Sequence, residues 1–416
     1  MPLFSALRYR NYQLFISGQA MSNVGNMVHQ VAITWLAYTL TDSVFLLSVV
    51  AFSKQFATFL SGLGAGVIAD RFNKQRLLQY AHGLIGANTL LLALLTSQEL
   101  VGVAGLIAFQ ITLGLCKGME MPSRQAFVND LITDKQYLTN AIALNSTVFN
   151  TARVVGPAVA GMLIPWVGEA FCFLIYGLMS LVIIGFFFFI RPETTTAKKA
   201  AFNFKSEFGE GVRYAVRFSP IRTSILLAAG MALFGVSFMV LLPVVAGDIF
   251  GCGSVVYGYM NSALGVGAIT GGIFLANQNR VARLPKLIFG AAIIFSLGLA
   301  AISFSSVLAF TLVAIALIGL GRVIVFAGTN TLLQTISEDD KRGRVLSLYI
   351  TGFMGSLTLG GLLVGAIADW IGVLPTLLIE GGMCLVLSLW YATQLKMILL
   401  RSTRQLHRLE IADARS

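Results

Sequence analysis

Residues 156–177 read GPAVAGMLIPWVGEAFCFLIYG, and residues 360–381 read GGLLVGAIADWIGVLPTLLIEG. Gly156, Gly161, Trp166, Gly168 and Gly177 recur as Gly360, Gly365, Trp370, Gly372 and Gly381, every pair 204 residues apart. Five matches at one offset, one of them a Trp in a chain with 4, mark an internal duplication of about half the chain. Each copy is apolar over more than one bilayer thickness, so the duplicated unit is a membrane bundle rather than a soluble domain.

Working outward, the whole 416-residue chain is 56% hydrophobic and 11% charged, against roughly a quarter charged in soluble domains. Its mean hydropathy is +0.81, and no polar stretch is long enough for a soluble domain. A disordered chain is excluded by 30 Phe, a collagen-like fibre by 42 Gly without a three-residue period, and a disulfide scaffold by only 4 Cys. Cys116, Cys172, Cys252 and Cys384 lie far apart without a Cys-x-x-Cys or His pairing, so they read as small apolar fillers, and no metal or cofactor is expected.

A spanning helix needs about 20 apolar residues. Cutting wherever charge, Pro or polar clusters interrupt gives twelve spans, at 14–38, 43–69, 76–97, 100–121, 140–164 and 169–190, then 221–246, 254–277, 285–304, 306–330, 345–367 and 373–396. No segment alternates with a period of two, so the expectation is an all-α membrane protein of two parallel six-helix repeats. The expected organisation is 1–190 as the first bundle, 191–220 as a cytoplasmic connector, 221–400 as the second bundle and 401–416 as a tail. In the connector, Phe204, Phe208, Val212 and Ala215 recur at helical spacing opposite charged positions, the pattern of a helix lying on a membrane surface; a solvated linker is the alternative.

Of the 29 Lys and Arg, all but Lys54, Lys117, Arg153 and Arg322 lie in the tails, in the even-numbered connections or at their edges. The odd-numbered connections hold Asp42, Glu99, Glu169, Asp248 and Asp369 and no Lys or Arg. Basic loops stay in the cytoplasm, which places both termini there. The net charge of +11 is thereby spread over short loops facing anionic lipid, and nucleic acid is not an expected partner. The first apolar run exceeds the h-region of a signal peptide and lacks a cleavage pattern, so it reads as a retained span.

Between spans 2 and 3 the chain reads Gly66-Val67-Ile68-Ala69-Asp70-Arg71-Phe72-Asn73-Lys74-Gln75-Arg76. This resembles the loop signature of the major facilitator superfamily, with Asn73 where a glycine is usual. The resemblance implies that Gly66, Asp70, Arg71, Lys74 and Arg76 form a breakable latch between alternating states. Span 5 contains Arg153-Val154-Val155-Gly156-Pro157-Ala158-Val159-Ala160-Gly161, similar to the Gly-Pro motif of exporters in that superfamily, in which Pro157 would bend the helix and Gly156 and Gly161 allow close packing. Pro122 through Asn140-Ala141, the VRYAVRFSP stretch ending at Pro220 and the RGRVLSLY block ending at Tyr349 are similar to the branch of enterobactin exporters and macrolide efflux permeases. What this implies is a monomeric, multi-pass transporter of the bacterial inner membrane that exports a small-molecule substrate by alternating access.

Ionisable groups at mid-membrane cost at least ~2.5–3.5 kcal/mol and mark function. Lys54, Arg153 and Arg322 are the deep cations, and no acid of equal depth accompanies them in the first half. They suggest a cavity for an anionic, siderophore-like amphiphile; packing cations neutralised by other helices are the bland alternative. On span 1, Gln19, Ser22, Asn23, Asn26, His29, Gln30 and Thr34 form one polar stripe. Asn23, Asn26 and Gln30, with Asn150 one turn before Arg153, are candidate cargo contacts, or else inter-helix glue. For proton coupling the candidates are His29, Glu380 and Glu120, the last also able to pair with Lys117 as a gate. Competing readings are a broad-spectrum drug or macrolide pump, an importer of the same solutes, and a non-transporting membrane sensor. No nucleophile elbow, phosphate loop or paired carboxylate argues for an enzyme.

Overall fold

The structure is a computed structural model and describes residues 5–132, 137–191, 212–278 and 281–413; the side chains at 63–71, 139, 339–340, 404 and beyond 405 stand outside that description. Among the described residues there is no strand. The helices are α1 (Arg10–Leu40), α2 (Val44–Arg71), α3 (Lys74–Ser97), α4 (Val103–Leu131), and a continuous run Leu138–Phe189 that holds α5 and α6. The second half has α7 (Ser219–Ile249), α8 (Gly253–Ala276), α9 (Leu284–Ser303), α10 (Leu308–Ile336), α11 (Asp339–Ile371) and α12 (Val373–Asp413).

Among the described residues ten stretches are long and apolar enough to cross a membrane, and two physical facts raise ten to twelve. Asn140–Phe189, 50 residues, is two spans divided at Gly168, whose φ of 74° and ψ of 173° leave the helical region. The chain stays helical in φ and ψ at Pro157, so the break falls at the glycine and not at the proline. The other helix is α1, whose polar stripe dilutes its hydropathy although its 31 residues are ample to span.

The duplication is visible atom by atom. Gly372 closes α11 with φ 89° and ψ 164°, the same conformation as Gly168, and this region is open to glycine alone. Trp166 and Trp370, just before these corners, are each 87% exposed. A Cβ on Gly156 would strike Met27 of α1, and one on Gly360 would strike the Leu233 carbonyl and Ser237 of α7. Likewise Gly177 meets Leu90 of α3, and Gly381 meets Ser296 and Ala300 of α9. Helix 1 against 5 and 3 against 6 therefore repeat as 7 against 11 and 9 against 12.

Two compact units emerge, one running to Ala200 and adding Leu242–Ser262, the other Ala201–Leu241 with Ala263–Ser416. In the first, Tyr12, Phe15, Phe127, Leu131 and Phe187 form a buried cluster that ties the N-terminal end of α1 to α4 and α6. The Tyr12 hydroxyl donates to the Ala141 carbonyl at 2.8 Å. Most of the connector, Phe204 and Phe208 included, lies outside the described residues; 212–217 is helical, with Ala215 buried.

α4 runs ten residues beyond its apolar window, to Leu131, with Pro122 inside it. α7 is not uniformly wound: a wide π turn at Met231–Gly235 and another at Val245–Ile249 flank tight 3-10 winding at Val236–Val240. Gly230, Gly235 and Pro243 remove side-chain crowding or a backbone donor along this stretch.

Candidate functional site

The polar stripe of α1 divides among three neighbours. Gln30 accepts from the Lys54 ammonium of α2. Gln19 and Asn23 accept from Arg124 Nη1 of α4 at 3.0 and 3.5 Å. His29 turns instead to α6, its ring 5.2 Å from Phe173 and 5.3 Å from Tyr176, and neither ring nitrogen has a partner. Asn26 Oδ1 is buried without a partner as well. Thr34 bonds back to its own helix, its hydroxyl donating to the Gln30 carbonyl one turn earlier at 2.9 Å.

Glycines make these meetings close. A Cβ on Gly114 would meet Ala57 of α2 at 2.8 Å, so α4 lies directly against the turn of α2 that bears Lys54. Along α4, Lys117 pairs with Glu120 at 2.8 Å, and Glu120 stands 3.8 Å from Arg124 Nε. The spacing i, i+3, i+7 puts the three on one face. Glu120 is thus shared by two cations within α4.

Neither Lys54 nor Arg153 has an acidic partner among the described residues. Arg153 lies over the Phe149 ring, 4.9 Å from its centroid, with Asn150 half-buried on the preceding turn. In the second unit Arg322 donates to Met239 Sδ at 3.3 Å. Glu380 of α12 is 2% exposed, and neither carboxyl oxygen has a hydrogen-bond partner.

The surroundings of Gly66 and the side chains of Asp70 and Arg71 lie outside what the structure describes. Of the remaining loop residues, Lys74 makes an ion pair with Asp130 at the end of α4, 2.8 Å. Asn73 caps α3, its Oδ1 accepting from the Arg76 N–H at 3.1 Å, and Arg76 is exposed. Gly161 approaches Gly258 of α8, where a Cβ would come within 3.0 Å, and Ser262 donates to the Val154 carbonyl at 2.9 Å. Pro157 offers its carbonyl to the same approach, since a Cβ on Gly258 would meet it at 2.6 Å.

At the other end of α1, Tyr38 donates to Asp248 and Trp35 stacks on Tyr257 with centroids 6.1 Å apart. A cavity of about 350 Å³ opens there, lined by Tyr38, Thr41, Asp42, Val44, Leu47 and Asp248 among others. No group of three or more His, Cys, Asp or Glu capable of holding a metal occurs among the described residues.

Four residues of these contacts were not singled out as site residues from the sequence: Arg124, Asp130, Tyr38 and Asp248. For Arg124 a signal existed, because Lys117, Glu120 and Arg124 share a helical face, but an apolar window ending at 121 assigned it to the connection.

A family described as transmembrane secretion effectors matches residues 2–410. The staphyloferrin A transporter of Staphylococcus aureus is 26% identical over 378 residues, covering 88% of this chain and 92% of that protein. The multidrug efflux pump Tap of Mycolicibacterium fortuitum is 25% identical over 387 residues, covering 88% and 91%. Among solved structures, a bacterial homologue of the human lysosomal transporter Spinster, in an inward-facing and unoccupied conformation, superposes with a TM-score of 0.70 at 13% identity over 96% of this chain and 98% of that one.

Proposed function

The chain belongs to the major facilitator superfamily, among the transmembrane secretion effectors, and from that premise we propose that it exports a small, amphipathic, anionic organic solute by alternating access. It is a multi-pass membrane transporter and not an enzyme; the direction and the class of cargo are the proposal. The observation that carries it is the pair of mid-span cations, Lys54 and Arg153, facing no acid among the described residues. A cation left that way in a low-dielectric interior is costly, and an anionic cargo would offset the cost on each cycle. Asn23, Asn26, Gln30, Asn150 and Arg322 complete the proposed contacts, and the likeness to a staphyloferrin A transporter supports a siderophore-like solute.

We further propose a bacterial inner-membrane location with both termini cytoplasmic, a single-chain unit built of the bundles 1–190 and 221–400, and a latch formed by Gly66, Asp70, Arg71, Lys74 and Arg76 with close packing at Gly156, Pro157 and Gly161. His29, Glu120 and Glu380 are the proposed proton-handling groups. A second reading, broad drug efflux, draws on the likeness to Tap and on 13 Met, a pliable lining residue.

Flux into inverted vesicles, with and without a pH gradient, tests the proposal. Accumulation of anionic amphiphiles in preference to neutral or cationic drugs of equal size is expected. Equal transport of all three classes favours the second reading, and efflux from the vesicles reverses the direction.

A further inference from the structure

Among the described residues of the first unit, three neighbouring nitrogen donors are buried without a hydrogen-bond acceptor: Nε2 of Gln19, Nδ2 of Asn23 and Nε of Arg124, the last with Glu120 Oε1 only at ion-pair distance, 3.8 Å. The chemistry of Arg124 fixes the amide orientation. A guanidinium only donates, so the atoms of Gln19 and Asn23 that meet Nη1 are oxygens, and the nitrogens are left over. The missing partners are therefore acceptors. Gln19 and Asn23 are 1% and 6% exposed and one turn apart on α1. Around them, Glu120 balances only one of the two charges of Lys117 and Arg124. The cluster is not sealed, since the side chains of Lys117 and Arg124 remain 18% and 14% exposed.

We propose that Gln19, Asn23 and Arg124 form a second subsite, which receives a carboxylate or similar oxyanion group of the transported solute nearer the N-terminal end of α1. It deepens, and rests on, the reading of the cargo as an anion. From Gln19 to Gln30, the residue that meets Lys54, is eleven residues, about 16 Å along a helix. A solute with two acidic groups at that separation would occupy both levels at once, and one with a single group would pass from one level to the next. The donor geometry favours an oxyanion, because one guanidinium edge and two amide nitrogens offer separate hydrogens to two or more oxygens.

Citrate serves as the probe, with purified full-length protein in lipid nanodiscs and thermal unfolding as the readout. Citrate is expected to raise the unfolding midpoint beyond sodium chloride at matched ionic strength, in a saturable way. Arg124→Gln is expected to weaken citrate by about tenfold or more, and Arg124→Lys to recover part of that loss. Should Arg124→Gln fold poorly, Gln19→Leu and Asn23→Leu keep every charge and are expected to weaken citrate several-fold each. A citrate response no larger than chloride's means that water alone fills the site and overturns the proposal, as does a response untouched by these substitutions. Citrate binding requires no turnover. An intact citrate response beside flux that ignores anions counts against the transport reading, whereas an unsubstituted protein that carries anions but shows no citrate response counts against the subsite.

Discussion

Lys54 of α2 donates its ammonium hydrogen to the side-chain oxygen of Gln30 on α1. A neutral amide relieves desolvation only in part, so substitutions at the two ends have opposite consequences. Lys54→Met removes a buried charge and is expected to hold or raise the unfolding midpoint while lowering anion flux by about tenfold or more. Gln30→Leu leaves the ammonium without its acceptor and is expected to destabilise by about 1–3 kcal/mol. Thermal unfolding and vesicle flux on the same preparations check both signs.

Arg153 lies over the Phe149 ring rather than beside a carboxylate. Arg153→Ala is expected to abolish anion flux while folded protein still reaches the membrane. Phe149→Leu keeps the charge but loses the ring face, and a rise of several-fold in KM with little change in maximal rate is the expected result. Unimpaired flux in Arg153→Ala would remove this residue from the cargo path.

The corners at Gly168 and Gly372 have φ of 74° and 89° with ψ near 170°. Any side chain there is strained by about 1–3 kcal/mol. Gly168→Ala and Gly372→Ala are expected to lower stability by similar amounts, whereas Gly185→Ala, a helical position with open space for a methyl, is expected to be neutral or slightly stabilising. Denaturation midpoints of the three variants provide the comparison.

Lys74 and Asp130 join the start of α3 to the end of α4 at 2.8 Å, both largely shielded from solvent. Lys74→Gln and Asp130→Asn are each expected to reduce the maximal transport rate more than they change KM, and the double variant is expected to lose little beyond either one. A double-mutant cycle that returns additive losses would show that the pair does not act as a unit.

Tyr38 and Asp248 lie beside Leu47 in the wall of the 350 Å³ cavity. With Leu47→Cys as reporter, Tyr38→Phe is expected to speed maleimide labelling several-fold, because the hydrogen bond that holds this end of α1 against Asp248 is gone. An unchanged labelling rate would mean that packing of Trp35 on Tyr257 suffices to hold it.

Much of this architecture was legible in the residues because a bilayer imposes a length on every apolar run, and because the glycines that shape a corner or a helix contact recur at one offset. What escaped has an equally physical cause. Hydropathy reports where lipid ends, not where a helix ends, so α4 continued through Pro122, Ser123, Arg124 and Gln125 to Leu131 while its window stopped at 121. That displacement hid Arg124, the cation that meets Gln19 and Asn23. The stripe on α1 was correctly polar, yet spacing alone did not reveal that His29 would rest between Phe173 and Tyr176 while Gln30, one residue on, faced Lys54. Nor does any residue pattern announce the uneven winding of α7.

That winding has a consequence for how α7 varies between related chains. A π turn accommodates one more residue than the α turn it replaces, which is the footprint that a single-codon insertion leaves in a helix. At Met231–Gly235 and again at Val245–Ile249, losing one residue would restore regular pitch instead of throwing the rest of the helix out of phase. Indels within this span should gather at those two places, and an alignment that forces α7 to be gapless would misassign every position between them.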